Sequence, residues 1–363
     1  MTGDAVRLDS IEDAIAAISR GEAIIAVDDE GRENEGDLIF AAEKATTELA
    51  AFMIRHTSGY ICVGMTGPRL DRLNLPPMTA VNEDRKGTAY AVTVDARAVT
   101  STGISAQDRA ITIRALGEAT TQAQDLTRPG HVMPLRAVPG GVLQRPGHTE
   151  AAADLAALAG FEPVGALCEM VNDDGTMMDA AQCRAFADEH GLLLVSIADL
   201  IRYRLNFEKH VERVATTPLP TEYGDFTAVG FRNLVDGSEH AALVAGDIGD
   251  GEDILVRVHV QCLAGDALHS MSCPCGARLR ESLRRIAAEG RGVVVYLRLP
   301  TGTQHPLGPA EDAAPPDPLA YGLGSQILAD LGVRTMRLLT GSPDRRYALE
   351  GFGLEIREAV PLD

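Results

Sequence analysis

Residues 28–37, Asp-Asp-Glu-Gly-Arg-Glu-Asn-Glu-Gly-Asp, place six carboxylates and an amide directly after the apolar run Ala23–Val27. The pattern predicts a buried strand that ends at a turn, with a second strand beginning at Leu38. Clustered carboxylates repel one another unless they bind cations or hold protons. An acidic hairpin loop without a function is the simplest alternative, but the glycines, the single Arg32 and the flanking strands favour a hard-cation site, with Mg²⁺ as the expected ion.

The chain has 363 residues, 45% of them hydrophobic and 4% aromatic, no Trp, and a formal net charge of −19. This length predicts two domains with aliphatic cores. The charge leaves no basic stripe for a nucleic acid or a membrane surface, whereas a phosphorylated small molecule needs only a few local Arg or Lys residues. Because no export-signal pattern and no apolar run of membrane length is present, we expect a cytoplasmic protein.

An Arg-Pro-Gly-His sequence occurs twice, at residues 128–131 and 145–148. The second copy opens an Ala-rich segment that is predicted to be a helix. An Arg and free backbone N–H groups at a helix start suit a phosphate, and His148 there can ligate a metal or donate to a substrate. A lone His in a loop is more often a plain hydrogen-bonding residue. The repeat, together with Glu169 in a predicted strand over Ala166–Val171, favours a functional site.

These motifs resemble the 3,4-dihydroxy-2-butanone 4-phosphate synthase family. The likeness runs from about Leu8 to Arg204 and is carried by residues 28–37, 101–109, 128–135, 140–150 and 168–175. It implies conversion of D-ribulose 5-phosphate to 3,4-dihydroxy-2-butanone 4-phosphate and formate in riboflavin biosynthesis. It also implies an α+β domain of mixed sheet and helices, Mg²⁺ (or Mn²⁺) as cofactor, and a homodimer.

The resemblance also implies roles for individual residues. Glu33 and His148 are expected to ligate the metal, and His131 and Glu169 to be essential for turnover. The implied substrate-binding residues are Arg32, Glu33, Asp37, Arg145, Pro146, Gly147, His148, Thr149 and Glu169. A metal on the substrate oxygens stabilises an enediolate, and every ~1.4 kcal/mol removed from the barrier speeds the step about tenfold. Which carboxylate moves which proton stays open.

The second half follows a charged and then Thr- and Pro-rich segment. We expect a first domain over residues 1–205, a linker over 206–220 and a second domain, of the α/β class, over 221–363. Cys262, Cys273 and Cys275 lie within 14 residues of each other in this second domain. Three thiolates so arranged suit Zn²⁺ with an open fourth position, and buried thiols without a metal are the alternative.

The second half, from about Asp225 to Leu362, resembles GTP cyclohydrolase II. Residues 257–266, 273–276 and 338–340 carry the likeness. Where that family has Ser-Glu before its first zinc Cys, this chain has Val260-Gln261. Where the family has a Gln three residues after its last zinc Cys, this chain has Arg278.

Further departures follow the central strand. The family's Glu-Gly-Arg motif is replaced at residues 300–303, and a Pro- and Ala-rich segment at 304–318 stands where the family has its catalytic Asp and Arg. Arg345 replaces a phosphate-side Lys. We therefore expect a degenerate domain that keeps zinc and serves dimerisation or regulation, while the first domain is an active synthase. The alternatives are a bifunctional enzyme with an altered nucleotide pocket, and a non-enzymatic zinc-binding regulator.

Overall fold

The computed structural model describes residues 6–29, 31–298, 318–341 and 353–362. It divides into two compact units, Met1–Tyr203 and Arg204–Asp363. In each unit, seven of the described strands form one mixed sheet that is packed with helices. This confirms the expected α+β first half and α/β second half. None of the helices in the described ranges has the length and hydropathy that crossing a bilayer requires.

The strands of the first unit are arranged in the order β4-β5-β3-β6-β2-β1-β7. Their bounds are β1 Ile24–Val27, β2 Gly36–Ala41, β3 Cys62–Thr66, β4 Val94–Ala96, β5 Leu126–Ala137, β6 Val164–Glu169 and β7 Leu194–Ser196. The helices are α1 Ile11–Arg20, α2 Thr47–His56, α3 Gly67–Arg72, α4 Ala106–Gly117, α5 His148–Leu158, α6 Ala180–His190 and α7 Ile197–Phe207.

The predicted acidic hairpin is confirmed in its main features. Strand β1 is buried along its whole length and pairs antiparallel with β2, so that Val27 lies opposite Gly36. Strand β2 in turn pairs antiparallel with β6, which places Asp37 directly opposite Glu169. Directly opposed residues project from the same face of a sheet. The hairpin therefore brings Asp37 beside Glu169, a residue far away in the sequence.

Helix α5 lies directly on the sheet because two glycines face it. A Cβ on Gly64 of β3 would lie 2.4 Å from the carbonyl oxygen of Thr149, and a Cβ on Gly165 of β6 would lie 2.3 Å from that of Ala152. No larger side chain fits at either position without moving backbone. The close approach delivers the first turn of α5, with His148, to the open end of the acidic hairpin.

The bounds of two predicted elements in the first unit differ from those of the structure. The alternating residues Tyr90–Val94 predict a strand. Only isolated bridges occur at Tyr90 and Ala91, and β4 begins at Val94. The small-residue turn at 101–105 predicts a helix over Ala106–Ala123. The helix, α4, ends at Gly117 because the next residue, Glu118, is extended. The first Arg-Pro-Gly-His sequence, residues 128–131, lies inside strand β5.

The strands of the second unit are arranged in the order β14-β13-β11-β12-β10-β9-β8. Their bounds are β8 Val211–Thr221, β9 Gly224–Asn233, β10 Glu239–Ala245, β11 Ile254–Val260, β12 Gly292–Leu297, β13 Thr335–Thr340 and β14 Glu355–Pro361. The helices are α8 Cys275–Glu289 and α9 Pro318–Asp330. The expected replacements at residues 300–303 and 304–317, and Arg345, lie outside the described residues.

The linker expected over residues 206–220 is wrong. Helix α7 continues to Phe207, and β8 forms the edge strand of the second sheet, paired with β9 from Val211 to Thr221. Most side chains of β8 are exposed, so the strand shows no apolar alternation in its sequence. Pro218 and Pro220 are compatible with this position because an edge strand tolerates missing N–H donors.

Candidate active site and candidate metal centres

The acidic loop is organised by Asp28. Its buried carboxylate accepts hydrogen bonds from the backbone N–H groups of Glu33 at 3.1 Å and Glu35 at 3.0 Å, and from the Arg32 guanidinium at 2.8 Å. Arg32 also donates to Glu33 Oε2 at 2.7 Å. With three donors on two oxygens, Asp28 shapes the loop. Glu33 is turned toward α5, with its Oε2 3.8 Å from His148 Nδ1.

His148 lies between two carboxylates. Its Nδ1 is 3.8 Å from Glu33 Oε2 and 3.8 Å from Asp37 Oδ1. His148 Nε2 and Asp37 Oδ1 are both buried, and neither has a hydrogen-bond partner among the described residues. Buried polar atoms are rarely left unsatisfied. These two atoms are therefore available to a bound ion or substrate. Glu33 and His148 lie close together, as the sequence predicts.

The charges of this cluster are strongly coupled. Contact with His148, together with the Arg32 guanidinium, outweighs burial and lowers the pKa of Glu33 to about 2. Burial and the neighbouring acids raise the pKa of Asp37 to about 7, with His148 opposing the shift. Burial alone would lower the pKa of His148, but Asp37 and Glu33 raise that pKa to about 9. The cluster thus holds exchangeable protons near neutral pH.

The donor set fits a hard divalent cation. One ligand atom each from Asp28, Glu33 and His148 lie within 4.8 Å of one another. Mg²⁺ binds oxygen ligands at about 2.1 Å in octahedral geometry and keeps several waters, so two protein ligands and an open cavity suffice. Glu33 and His148 have unshared capacity, whereas Asp28 is occupied by loop donors. The geometry favours Glu33 and His148 as the protein ligands.

A cavity of about 280 Å³ opens beside these residues. Its lining includes most of the predicted substrate-binding residues, namely Arg32, Glu33, Asp37, Arg145, His148, Thr149 and Glu169. Residues 79–87 are polar and charged, which is typical of a loop over a site. This loop contributes Asp84 and Lys86 to the lining, and Thr88 follows it. The Lys86 ammonium donates to the Arg32 carbonyl. The sequence indicated this loop but not which of its residues line the cavity.

Arg145 stands at the entrance to α5. Its guanidinium donates to buried Glu150 at 2.6 Å and to the Thr88 hydroxyl at 3.1 Å. A Cβ on Gly147, the residue before α5, would lie 2.5 Å from Arg145 Nη1 and 2.9 Å from Arg32 Nη2. Two guanidinium groups therefore converge beside the N–H groups of a helix start, which is a favourable environment for a phosphate. Glu150 holds Arg145 in that position.

Glu169 is held from the side by Ser58, which sequence reasoning missed. The Ser58 hydroxyl donates to Glu169 Oε2 at 2.8 Å, and the Ser58 N–H donates to the Glu169 carbonyl at 2.8 Å. Cys62 also lines the cavity, as a neighbour of the site, and burial strongly raises the pKa of its thiol. A thiol so protonated is a poor nucleophile, so Cys62 contributes packing.

His131 is a predicted site residue that lies away from this cavity. It is not among the described residues lining the cavity around Glu33. It lies in β5 with its side chain 39% exposed and its Nδ1 2.8 Å from Asp95 Oδ2. Within one chain, Glu33, Asp37, His148 and Glu169 therefore line one cavity, and His131 does not.

The second unit brings its three cysteines together. Ligand atoms of Cys262, Cys273 and Cys275 lie within 4.8 Å of one another, and the Sγ atoms of Cys262 and Cys273 are 3.6 Å apart. Two sulfurs bound to one tetrahedral Zn²⁺ at 2.3 Å each would be about 3.8 Å apart. The trio therefore fits zinc with an open fourth position.

A polar network supports the first of these cysteines. Asp266 accepts from the Cys262 N–H at 2.8 Å and from the Tyr296 hydroxyl at 2.9 Å. Both of its oxygens lie 3.0 Å from His259 Nε2. Burial alone would raise the pKa of Asp266, but these partners lower it. The network fixes the turn that presents Cys262, and it holds Asp266 in the charged form.

Family comparisons match both units. A family model described as 3,4-dihydroxy-2-butanone 4-phosphate synthase matches residues 12–203, and one described as GTP cyclohydrolase II matches residues 212–361. The riboflavin biosynthesis protein RibBA of Nocardia farcinica is 56% identical, and the match covers 98% of this chain and 91% of the relative. The protein of the same name from Rhodococcus jostii is 54% identical with the same coverage.

Solved structures agree with these matches. RibBX, a two-domain 3,4-dihydroxy-2-butanone 4-phosphate synthase from A. baumannii, is 38% identical with a TM-score of 0.79, and the match covers 97% of this chain and all of that one. A 3,4-dihydroxy-2-butanone 4-phosphate synthase in complex with two magnesium ions is 47% identical with a TM-score of 0.53. That match covers 54% of this chain and 96% of that one.

Proposed function

The chain belongs to the 3,4-dihydroxy-2-butanone 4-phosphate synthase family through its first unit and to the GTP cyclohydrolase II family through its second, and we propose that the first unit alone carries its activity. It is an enzyme of riboflavin biosynthesis. The proposed reaction converts D-ribulose 5-phosphate to 3,4-dihydroxy-2-butanone 4-phosphate and formate. The observation that carries this proposal is the cluster of Glu33, Asp37, His148 and Glu169 around one cavity.

Glu33 and His148 would hold Mg²⁺, the ion that one related synthase binds in its solved structure. When bound to the substrate oxygens, such an ion stabilises the negative charge of an enediolate. Arg32 and Arg145, with the start of α5, would bind the substrate phosphate. Asp37 has a pKa of about 7 and so can both accept and return a proton at neutral pH.

Glu169 is the second proton carrier in this proposal. It lies opposite Asp37 in the β2–β6 pair, so both carboxylates project from one face of the sheet toward the cavity that would hold the substrate. Ser58 orients Glu169 from outside the cavity. Enolisation, dehydration, the skeletal shift and the loss of C4 as formate all require proton transfers. Two carboxylates on one face would carry part of these transfers.

His131 would act across a dimer interface. The resemblance implies that it is essential and that the chain is a homodimer, yet in one chain it does not line the cavity among the described residues. A twofold dimer places the same residue of each subunit at the other subunit. His131 would then complete the partner's site.

A complementation experiment tests the dimer. Glu33→Gln and His131→Gln chains, each inactive alone, are mixed under mild denaturation and refolded together. Random assortment makes half of the dimers mixed, with one intact site each, so about one quarter of the wild-type rate should return. No recovery from a mixture that contains mixed dimers would contradict a shared site.

The reaction itself is tested on the purified full chain. D-ribulose 5-phosphate with Mg²⁺ should yield the butanone phosphate, identified as the organic product because formate alone is not diagnostic. Glu33→Gln should abolish that product while the far-ultraviolet circular dichroism stays native. Absence of the butanone phosphate with wild-type protein would refute the proposal.

For the second unit we propose a zinc-binding domain without cyclohydrolase activity. The related two-domain structure from A. baumannii is named only as a synthase. Retention of cyclohydrolase activity is the second candidate, and the intact trio Cys262, Cys273 and Cys275 favours it. GTP with Zn²⁺ distinguishes them, because a pyrimidine product would establish a bifunctional enzyme.

A further inference from the structure

Strands β4 and β5 break register beside His131. Val94 lies opposite Val132, but the next residue, Asp95, lies opposite Thr127, so that residues 128–131 are extra residues on β5. Such a bulge leaves the added residues without their regular ladder bonds. The Asp95 carboxylate replaces one of these ladder bonds, since its Oδ1 accepts from the His131 backbone N–H at 2.9 Å. Asp95 Oδ2 lies 2.8 Å from the His131 ring Nδ1.

Close packing holds this pair in place. The Asp95 side chain is 9% exposed, whereas that of His131 is 39% exposed. A Cβ on Gly103 would lie 2.2 Å from Asp95 Oδ2 and 2.6 Å from His131 Nδ1, and a Cβ on Gly130 would lie 1.9 Å from the carbonyl carbon of Val94. Only glycine fits at either position. The carboxylate is therefore buried and aimed at the ring, and the far side of the ring faces outward.

The loop that carries Gly103 is itself fixed by a second carboxylate. Buried Asp108 accepts from the N–H of Thr100 at 2.8 Å, the N–H of Gly103 at 3.2 Å, and the Ser101 hydroxyl. Asp108 thus presses Gly103 against the Asp95–His131 pair. The motif over residues 101–109 therefore contributes packing. None of its residues is among the described residues that line the cavity around Glu33.

We propose that Asp95 is a positioning residue for His131, which it holds in the tautomer with the proton on Nδ1 and the lone pair on Nε2. The proposal rests on the catalytic role proposed for His131. A carboxylate accepts but does not donate, so Nδ1 must carry the hydrogen in the neutral ring. Nε2 is then free to take a proton from a substrate and return it, and the carboxylate stabilises the imidazolium formed in between.

The test uses Asp95→Asn in the full chain. The amide oxygen of Asn can still accept from the His131 backbone N–H, whereas its NH₂ group would donate to the ring Nδ1. We expect kcat to fall about a hundredfold, with KM within twofold, since correct protonation of an acid–base group is worth at least that much. Nitrogen-15 histidine spectra, assigned with His131→Gln, should show the His131 proton move from Nδ1 to Nε2.

The matched control is Asp9→Asn, because Asp9 also bonds a backbone N–H, that of Leu194, and an Arg184 guanidinium in the same unit. It should lower the melting temperature and leave kcat and the His131 tautomer unchanged. An Asp95→Asn protein that keeps the Nδ1 proton, or that keeps kcat within twofold, would overturn the proposal. If the wild-type chain makes no butanone phosphate, the proposed function fails, while the tautomer measurement still decides the role of Asp95.

Discussion

Raising the pH from 7 to 9 should strengthen Mg²⁺ binding to the metal-free chain about fiftyfold, because half of the His148 rings are then neutral. His148 has a pKa of about 9, since Asp37 and Glu33 outweigh its burial, so at pH 7 it holds a proton. An imidazole must be neutral to ligate a metal, so the ion has to displace that proton. Each pH unit below the pKa costs about tenfold in affinity, and two units correspond to about 3 kcal/mol.

Isothermal titration calorimetry in two buffers of different ionisation enthalpy measures both the affinity and the protons released. About one proton per ion should be released at pH 7.5, and the affinity should level off above pH 9. His148→Gln should bind Mg²⁺ weakly and without this pH dependence, whereas His131→Gln should retain it. A wild-type affinity that is flat from pH 7 to 9, with no proton released, would refute the assignment of His148 as a ligand.

Gly64→Ala should lower the free energy of unfolding by about 1–3 kcal/mol, as overpacking does, which chemical denaturation measures. It should also weaken Mg²⁺ binding, measured by calorimetry, because the first turn of α5 must move. Ser58→Ala should lower kcat about tenfold with unchanged metal affinity, because Glu169 loses a hydrogen bond to its charged oxygen; steady-state kinetics decide this, and an unchanged kcat would contradict it. Cys273→Ser should release zinc, measured by metal analysis of the purified protein, without changing the synthase rate.

Local signals in the sequence predicted most elements of the fold. Ser10 accepts from the N–H of Asp13 to begin α1, and Gly21 ends the helix at φ 88°. The run Ile254–Val260 alternates β-branched residues with others, which favours a strand, and it forms strand β11. Strand β8 was missed because an exposed edge strand needs no apolar alternation, and its pairing with β9 is a tertiary contact.

The candidate site was predictable where a motif carries the chemistry in consecutive residues. The acidic stretch and the second Arg-Pro-Gly-His sequence do so, and Glu33 and His148 indeed meet. Asp95 and Ser58 escaped notice because each acts on a residue that is distant in sequence, His131 or Glu169, through a bond that exists only in the folded sheet. An isolated Asp or Ser in a strand or turn has no spacing pattern that would predict such a role.

The zinc trio of the second unit argues for an ion with a structural role. Gly265 and Gly276 lie so close together that a Cβ on Gly276 would be 2.0 Å from the Gly265 carbonyl oxygen. This close approach places Cys262 near Cys275. Burial raises the pKa of Cys262 and raises that of Cys275 to about 12, so without a cation both stay protonated thiols. Buried thiols alone would not require so constrained a backbone, whereas thiolates bound to zinc contribute folding free energy directly. Such stabilisation would not depend on the residues that handle a nucleotide.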